Sequence, residues 1–374
     1  MAMMKGAFSM SRLSYLVVLV LLVLPGCSTL HGSLGALTYP HLAGASTETV
    51  LVASSRRKSD QPSEFFSKGR SAHLNFAEVI VSIPPAHVPG QIEKASEHHD
   101  PKRHFTTAGR RYIAGRNHFL ARLNQTIIAN SRRSREVFVF VHGFNSTFAE
   151  GLFRAAQIRH DFDLPAAATV HYSWPSAGRP GLYAYDRDSA NFARDGLVDL
   201  FELLARSRAS KVFLVGHSMG GLVTMEALRQ ARLTGRTRIY RKLSTVALAS
   251  PDIDVDVFRK QMQTLPAKRP HMVVLVSKDD RALRVSGILR GGHPRIGQGK
   301  NVSLLTELGI TVVDLSSLGD GDKLSHSKFS SSPSFIEMIR RRRITDRTIR
   351  SADRRGRKPT DGVAVGDVIL HLPR

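Results

Sequence analysis

From Val137 onward, short apolar runs alternate with longer stretches of helical spacing. "VFVFV" (Val137 to Val141) is unbroken, β-branched and aromatic, which predicts a strand buried on both faces. Between Thr147 and His160, Phe148, Leu152, Phe153 and Ala156 recur at the spacing of one helix face. "ATVHYSW" (Ala168 to Trp174) is the next strand, ended by Pro175, and Asp188 to Arg206 the next helix. "KVFLVG" leads into a helix from Met219 to Gln230, and "STVALAS", "HMVVLVS" and "ITVVDLS" are further strands. Phe335 to Arg343 reads as a short terminal helix. Strands alternating with helices predict an α/β fold, a mostly parallel sheet covered on both faces. Two earlier runs, Thr49 to Ala53 and Ala77 to Ile83, are expected to form its antiparallel edge. The polar segment holding His98, His99, Asp100 and His104 reads as a solvated loop rather than a metal site, and so does the Gly-rich stretch Arg290 to Lys300.

Charge changes the picture at the ends. The 374 residues carry 54 Lys and Arg against 31 Asp and Glu, a net +23 that suits an anionic surface. Much of the excess follows Arg340, in a segment too polar to build a core. No aromatic residues interleave those arginines, which argues against nucleic acid as their partner; contact with lipid phosphates is the alternative. Only "VAVGDVILHL" near the end has the pattern of a late strand. At the other end, Leu13 to Leu24 is an apolar run of signal-peptide length, behind Lys5 and Arg12. It runs into "LPGC", and Cys27 is the chain's only cysteine. This stretch resembles the bacterial lipobox. The resemblance implies cleavage before Cys27, acylation of that residue, and export as a membrane-anchored lipoprotein, with the outer membrane the expected destination.

The chemistry gathers around "VGHSMGG". Gly216-x-Ser218-x-Gly220 sits between a strand and a helix, the setting of a nucleophile elbow. The turn there is so tight that side chains two before and two after the serine would collide, and glycine removes the collision. An oxyanion needs two backbone N–H donors. One is expected from Met219, directly after the serine. The other is expected from Phe144 in "HGFN", the loop that follows "VFVFV"; His142 in that loop reads as an ordering residue, not a base. His326, in the polar loop between the last strand and the terminal helix, is the expected base, ahead of His293 and His371. For the acid, Asp280 after "HMVVLVS" is favoured, Asp252 in "SPDID" is the alternative, and Asp279 reads as a solvated neighbour. Trp174, Tyr183 and Tyr185 could line a pocket or simply pack, and Asp186 with Arg187 reads as a helix-start pair. Only Asp252 to Arg269 is available for a cap, so a fairly open site is expected.

The stretch from Glu48 to Met338 resembles the α/β-hydrolase superfamily, with Ser, Asp and His in that chain order. "FVHGFN", "YSWPS", "YDRDSA", "GHSMGG" and "SPDID" together resemble a bacterial α/β-hydrolase family whose substrates are unassigned. The resemblance implies a serine hydrolase of esterase or lipase type, acting on an ester or thioester through an acyl-enzyme, with no metal or cofactor. Acyl transfer to another acceptor, or a non-catalytic tethered binding protein on the same fold, are the alternatives. The expected organisation is a leader over residues 1–26, a tether over 27–47, the hydrolase domain over 48–339 and an Arg-rich tail over 340–374.

Overall fold

The apolar runs become the middle of one eleven-stranded sheet. The computed structural model describes residues 42–95, 99–132, 134–341 and 362–373, together with residues 34 and 39. Cys27, His98 and the tail residues from Arg342 to Lys358 lie outside the described residues.

In chain order the strands are β1 (Ser46–Lys58), β2 (Phe66–Ile83), β3 (Thr106–Ile113), β4 (Glu136–Val141), β5 (Ala168–Ser173), β6 (Lys211–His217), β7 (Leu243–Ala249), β8 (His271–Val276), β9 (Thr311–Asp314), β10 (Val363–Val365) and β11 (Val368–His371). Across the sheet they lie in the order β10-β11-β9-β8-β7-β6-β4-β5-β1-β2-β3. Neighbours from β1 to β9 across this order pair in parallel, while β2, β3, β10 and β11 are antiparallel additions.

The first apolar run therefore differs from its expectation. Thr49 to Ala53 belongs to β1, which lies inside the sheet with Val50 opposite Thr169 of parallel β5. The reason is burial: Val50 to Arg56 is buried throughout, as a strand covered on both faces must be. The edge falls to β3, which begins one residue after Phe105 of the segment expected to be a solvated loop; Phe105 is itself buried.

The helices are α1 (Gly115–Ala129), α2 (Phe148–Asp161), α3 (Tyr183–Arg206), α4 (Met219–Leu233), α5 (Val255–Thr264), α6 (Arg281–Leu289), α7 (Val302–Glu307), α8 (Lys328–Ser331) and α9 (Pro333–Arg340). Alternation along β4 sorts its side chains between two cores. Val137, Val139 and Val141 join residues of α1, α3, α4 and α5 on one face; Phe138 and Phe140 join α2, α8 and α9 on the other. Each such side chain, fully buried, contributes roughly 1.5–3 kcal/mol. Thr147 and Glu150 form a reciprocal capping box that fixes where α2 begins, immediately after the loop that leaves β4.

Strand order also decides where a site can form. After β4 the chain steps outward to β5, then crosses back to lay β6 on the opposite side of β4. The loops leaving β4 and β6 thus diverge from adjacent strand ends, at a switch point where this architecture opens a crevice. At the far end of the chain, β11 pairs with β9, Ile369 facing Asp314. The last residues of the expected tail are thereby part of the sheet.

Candidate active site

Strain marks the switch point. Among the described residues, six non-glycine residues have positive φ, and three of them, Asn145, Ser218 and Ser250, lie within four residues of the C-terminal ends of β4, β6 and β7. Ser218 is the sharpest case, with φ 53° and ψ −121° between β6 and α4. Such backbone is costly for a residue with a Cβ and persists only where its surroundings over-determine it. Here Ser218 N–H donates to Ala249 O at 2.9 Å, and Ser218 O accepts from Gly221 and Asp252 N–H. Gly220 permits the turn: a Cβ on it would lie 2.5 Å from Val141 O. Ser218 is 5% exposed, and the segment expected to supply a cap forms the ten-residue α5, whose Phe258 and Met262 pack into the main core.

The loop after β4 packs directly on the elbow. A Cβ on Gly143 would lie 3.0 Å from Ser218 Cβ, so glycine is what brings this backbone up to the serine. His142 and Trp174 hold the loop. His142 Nδ1–H donates to Gly143 O at 2.9 Å, and Nε2 accepts from Trp174 N–H at 3.2 Å. Trp174 Nε1–H returns a bond to His142 O at 2.6 Å, and the two rings stack 5.0 Å apart. Burial, with Arg56 and His171 nearby, holds the His142 pKa well below the ordinary value, so it stays neutral. Trp174 is fully buried in this role and packs in the core.

Two charged residues that the sequence reading did not assign to this loop complete its support. Asp186, in the first turn of α3, accepts from Asn145 N–H, Ala177 N–H and the Ser176 hydroxyl. Arg56, fully buried on β1, donates to Ser146 O at 2.8 Å, to Ser176 O at 2.9 Å and to the Ser173 hydroxyl. Burial lowers its pKa to about 10, against the pull of Asp186, and it stays a cation. With Asn145 and Ser146 N–H committed to Asp186 and Ser176, Phe144 N–H has no acceptor among the described residues. Met219 N–H is the first of the α4 N-terminal groups that have no acceptor within the helix.

His326 and Asp280 meet above the ends of β8 and β9. His326 Nδ1–H donates to Asp280 Oδ2 at 2.7 Å, which leaves Nε2 with its lone pair. Asp280 is fully buried and caps α6, its Oδ1 accepting from Leu283 N–H at 2.8 Å. Burial pulls the His326 pKa down, and the Asp280 charge and hydrogen bond outweigh it, so the value lies above that of an ordinary histidine. Asp322 shapes the loop by accepting from His326 and Ser327 N–H. His217, the residue before Ser218, ties this loop to the elbow: its Nε2–H donates to His326 O at 3.2 Å, and the rings lie 4.9 Å apart. Among the described residues Ser218 Oγ and His326 share no hydrogen bond, a looseness common in sites without substrate.

Asp252 makes no hydrogen bond to His326 among the described residues and is engaged by other partners. Its Oδ2 accepts from the Tyr183 hydroxyl at 2.6 Å and its Oδ1 from Ser286 Oγ at 2.8 Å, and Arg295 Nε lies 3.3 Å away. Tyr183 meets Phe144 edge-on at 5.2 Å, whereas the Tyr185 hydroxyl turns away to Lys68 O. His293 is exposed near Asp254, and His371 is on β11, between β10 and β9. Asp279, mostly exposed, lies 3.9 Å from Lys328 Nζ.

No curated protein matches the chain. Among solved structures, it is similar to a fungal esterase from Rhizomucor miehei (13% identity, covering 82% of this chain and 84% of that one, TM-score 0.33). It is also similar to the dienelactone hydrolase-like promiscuous phosphotriesterase P91 from metagenomic libraries (13% identity, 78% of this chain and 97% of that one, TM-score 0.32). A lipase-esterase related protein from Clostridium acetobutylicum is a third (13% identity, 55% and 82%, TM-score 0.24). Residues 118–343 match the family described as alpha/beta hydrolase of unknown function, DUF900. The chain belongs to that family of α/β hydrolases.

Proposed function

We propose that the protein is a serine hydrolase that cleaves a carboxylic ester or thioester through an acyl-enzyme. The observation that carries this reading is the 2.7 Å bond from His326 Nδ1–H to Asp280 Oδ2, beside a serine held at positive φ between a strand and a helix. In this reading Ser218 Oγ attacks the substrate carbonyl while His326 Nε2 takes its proton. The oxyanion is held by the N–H groups of Phe144 and Met219. His326 then gives the proton to the departing alcohol or thiol. Water, deprotonated by His326, attacks the acyl-Ser218 ester; the acid leaves and the proton returns to Ser218. Asp280 orients the imidazole and stabilises its charged form. Asp252 has no part in proton transfer, since its oxygens already serve Tyr183 and Ser286.

Labelling by a fluorophosphonate probe tests this reading. The folded wild type should label, and Ser218→Ala and His326→Ala should not, while His293→Ala should label normally. A folded wild type that resists the probe would overturn it. We further propose that the enzyme is exported and held at a membrane through acylated Cys27. Cys27→Ser should then appear in the soluble fraction, and its retention in membranes would refute the anchor.

A further inference from the structure

We infer that the wall beside Ser218 built by Arg187, Arg290 and Arg295 recognises an anionic group, so that the preferred substrate is an ester carrying a negative charge. This inference rests on Ser218 being the nucleophile.

Arg295 is 1% exposed, in the stretch that the sequence suggested was an ordinary Gly-rich loop. Its Nε lies 3.3 Å from Asp252 Oδ1 and its Nη1 3.9 Å from Asp254 Oδ2, yet Nε and Nη2 make no hydrogen bond among the described residues. Arg187 follows Tyr183 by one helical turn on α3, and its buried Nη1 is likewise without a partner among the described residues. Arg290 ends α6 beside the Tyr183 hydroxyl. Burial, with Arg290 and Arg295 close by, lowers the Arg187 pKa.

The carboxylates present do not absorb this charge. Asp252 already accepts two hydroxyl groups, and Asp254 Oδ1 accepts from Asp256 and Val257 N–H at the start of α5. Three guanidinium groups thus face two committed carboxylates. Buried N–H groups without acceptors cost free energy, and a bound anion would satisfy them. Guanidinium also suits a carboxylate or phosphate in particular, through paired N–H donors.

The cluster is also in the right place. Asp252 N–H donates to Ser218 O at 3.2 Å, and Tyr183, bonded to Asp252, packs against Phe144 of the loop that would hold the oxyanion. It therefore adjoins both halves of the reaction centre.

Two ester pairs differing only in charge test the inference: 4-nitrophenyl hemiglutarate against its methyl ester, with the charge on the acyl side, and 3-acetoxybenzoate against its methyl ester, with the charge on the alcohol side. In at least one pair the wild type should favour the anion in kcat/KM. Arg187→Gln and Arg290→Gln should lower that preference about ten- to hundredfold. Arg208→Gln, an exposed charge elsewhere, should leave it intact and so controls for the chain's general positive charge. A wild type that favours the neutral ester in both pairs, or a preference that both variants keep, would overturn the inference. Calorimetry with glutarate on Ser218→Ala separates this from failure of the hydrolase reading. If no ester turns over and no probe labels, binding of glutarate that Arg187→Gln abolishes upholds the anion site, and absence of binding refutes it.

Discussion

Asp280 binds His326 with one carboxylate oxygen and the start of helix α6 with the other. The carboxylate is thus fixed by its role as a helix cap, and the imidazole is hydrogen-bonded to it. Asp280→Asn should lower kcat by about 10³–10⁴-fold, because the amide can donate to Nδ1 and so favour the wrong tautomer. It should also move the acid limb of kcat/KM to lower pH, since the carboxylate is what raises the His326 pKa. Asp252→Asn should move that limb less, because the Asp252 charge is the smallest of the contributions that raise the His326 pKa. A limb that responds to Asp252→Asn and not to Asp280→Asn would reverse the assignment.

The approach of Gly143 to Ser218 predicts a second effect. Gly143→Ala puts a methyl group 3.0 Å from Ser218 Cβ and pushes the Phe144 N–H off its line to the oxyanion. The rate of fluorophosphonate labelling should fall by about tenfold or more, since small misplacements weigh heavily on reactivity. Labelling at the wild-type rate would mean that the loop is not part of the reaction centre.

Arg56 acts at a distance from the chemistry. Arg56→Met removes the donors to Ser146 O and Ser176 O and leaves both carbonyls short of a partner. The expected cost is about 2–5 kcal/mol of stability by denaturant unfolding. Labelling of the folded fraction should slow as well, because Ser146 follows the loop that carries Phe144. A stability loss with unimpaired labelling would confine Arg56 to the fold.

His87 gives stability a pH dependence unrelated to catalysis. Its ring bridges Glu93 at 2.9 Å and Asp161 at 2.8 Å. Burial opposes the charge, but the two carboxylates prevail and raise the pKa from 6.5 to about 9. The stabilisation is therefore complete below pH 6.5, declines as pH rises, and is lost above about pH 9. The melting temperature should fall over that window, and His87→Gln should be lower at pH 6 and flatter across the range. Parallel curves for the two proteins would show that the bridge carries no net stability.

Much of this was legible in the sequence because it depends on local pattern. The buried runs gave the central strands within a residue or two, and Gly216-x-Ser218-x-Gly220 marked the strained turn. The family match bears out the α/β-hydrolase fold read from those patterns. What pattern could not show were contacts between residues far apart in the chain. Arg56 reaches Ser146 and Ser176 across roughly a hundred positions, and nothing in "SSRRK" signals a buried guanidinium. The "YDRDSA" segment showed Asp186 as a helix-start residue, which it is, but its bond to Asn145 N–H depends on how β4 and β5 lie side by side. β1 was misplaced to an edge for the same reason: its parallel partner, β5, is more than a hundred residues away.

The pairing of β11 with β9 alters the meaning of the basic segment before it. A chain cut after Arg340 loses more than a charged appendage: Val312 to Asp314 would be left with open backbone donors and acceptors along an apolar margin. Such a margin invites another molecule to add its own strand. A truncation made to remove the positive charge would therefore also expose a strand edge, and an effect on solubility or self-association would belong to that edge and not to the charge.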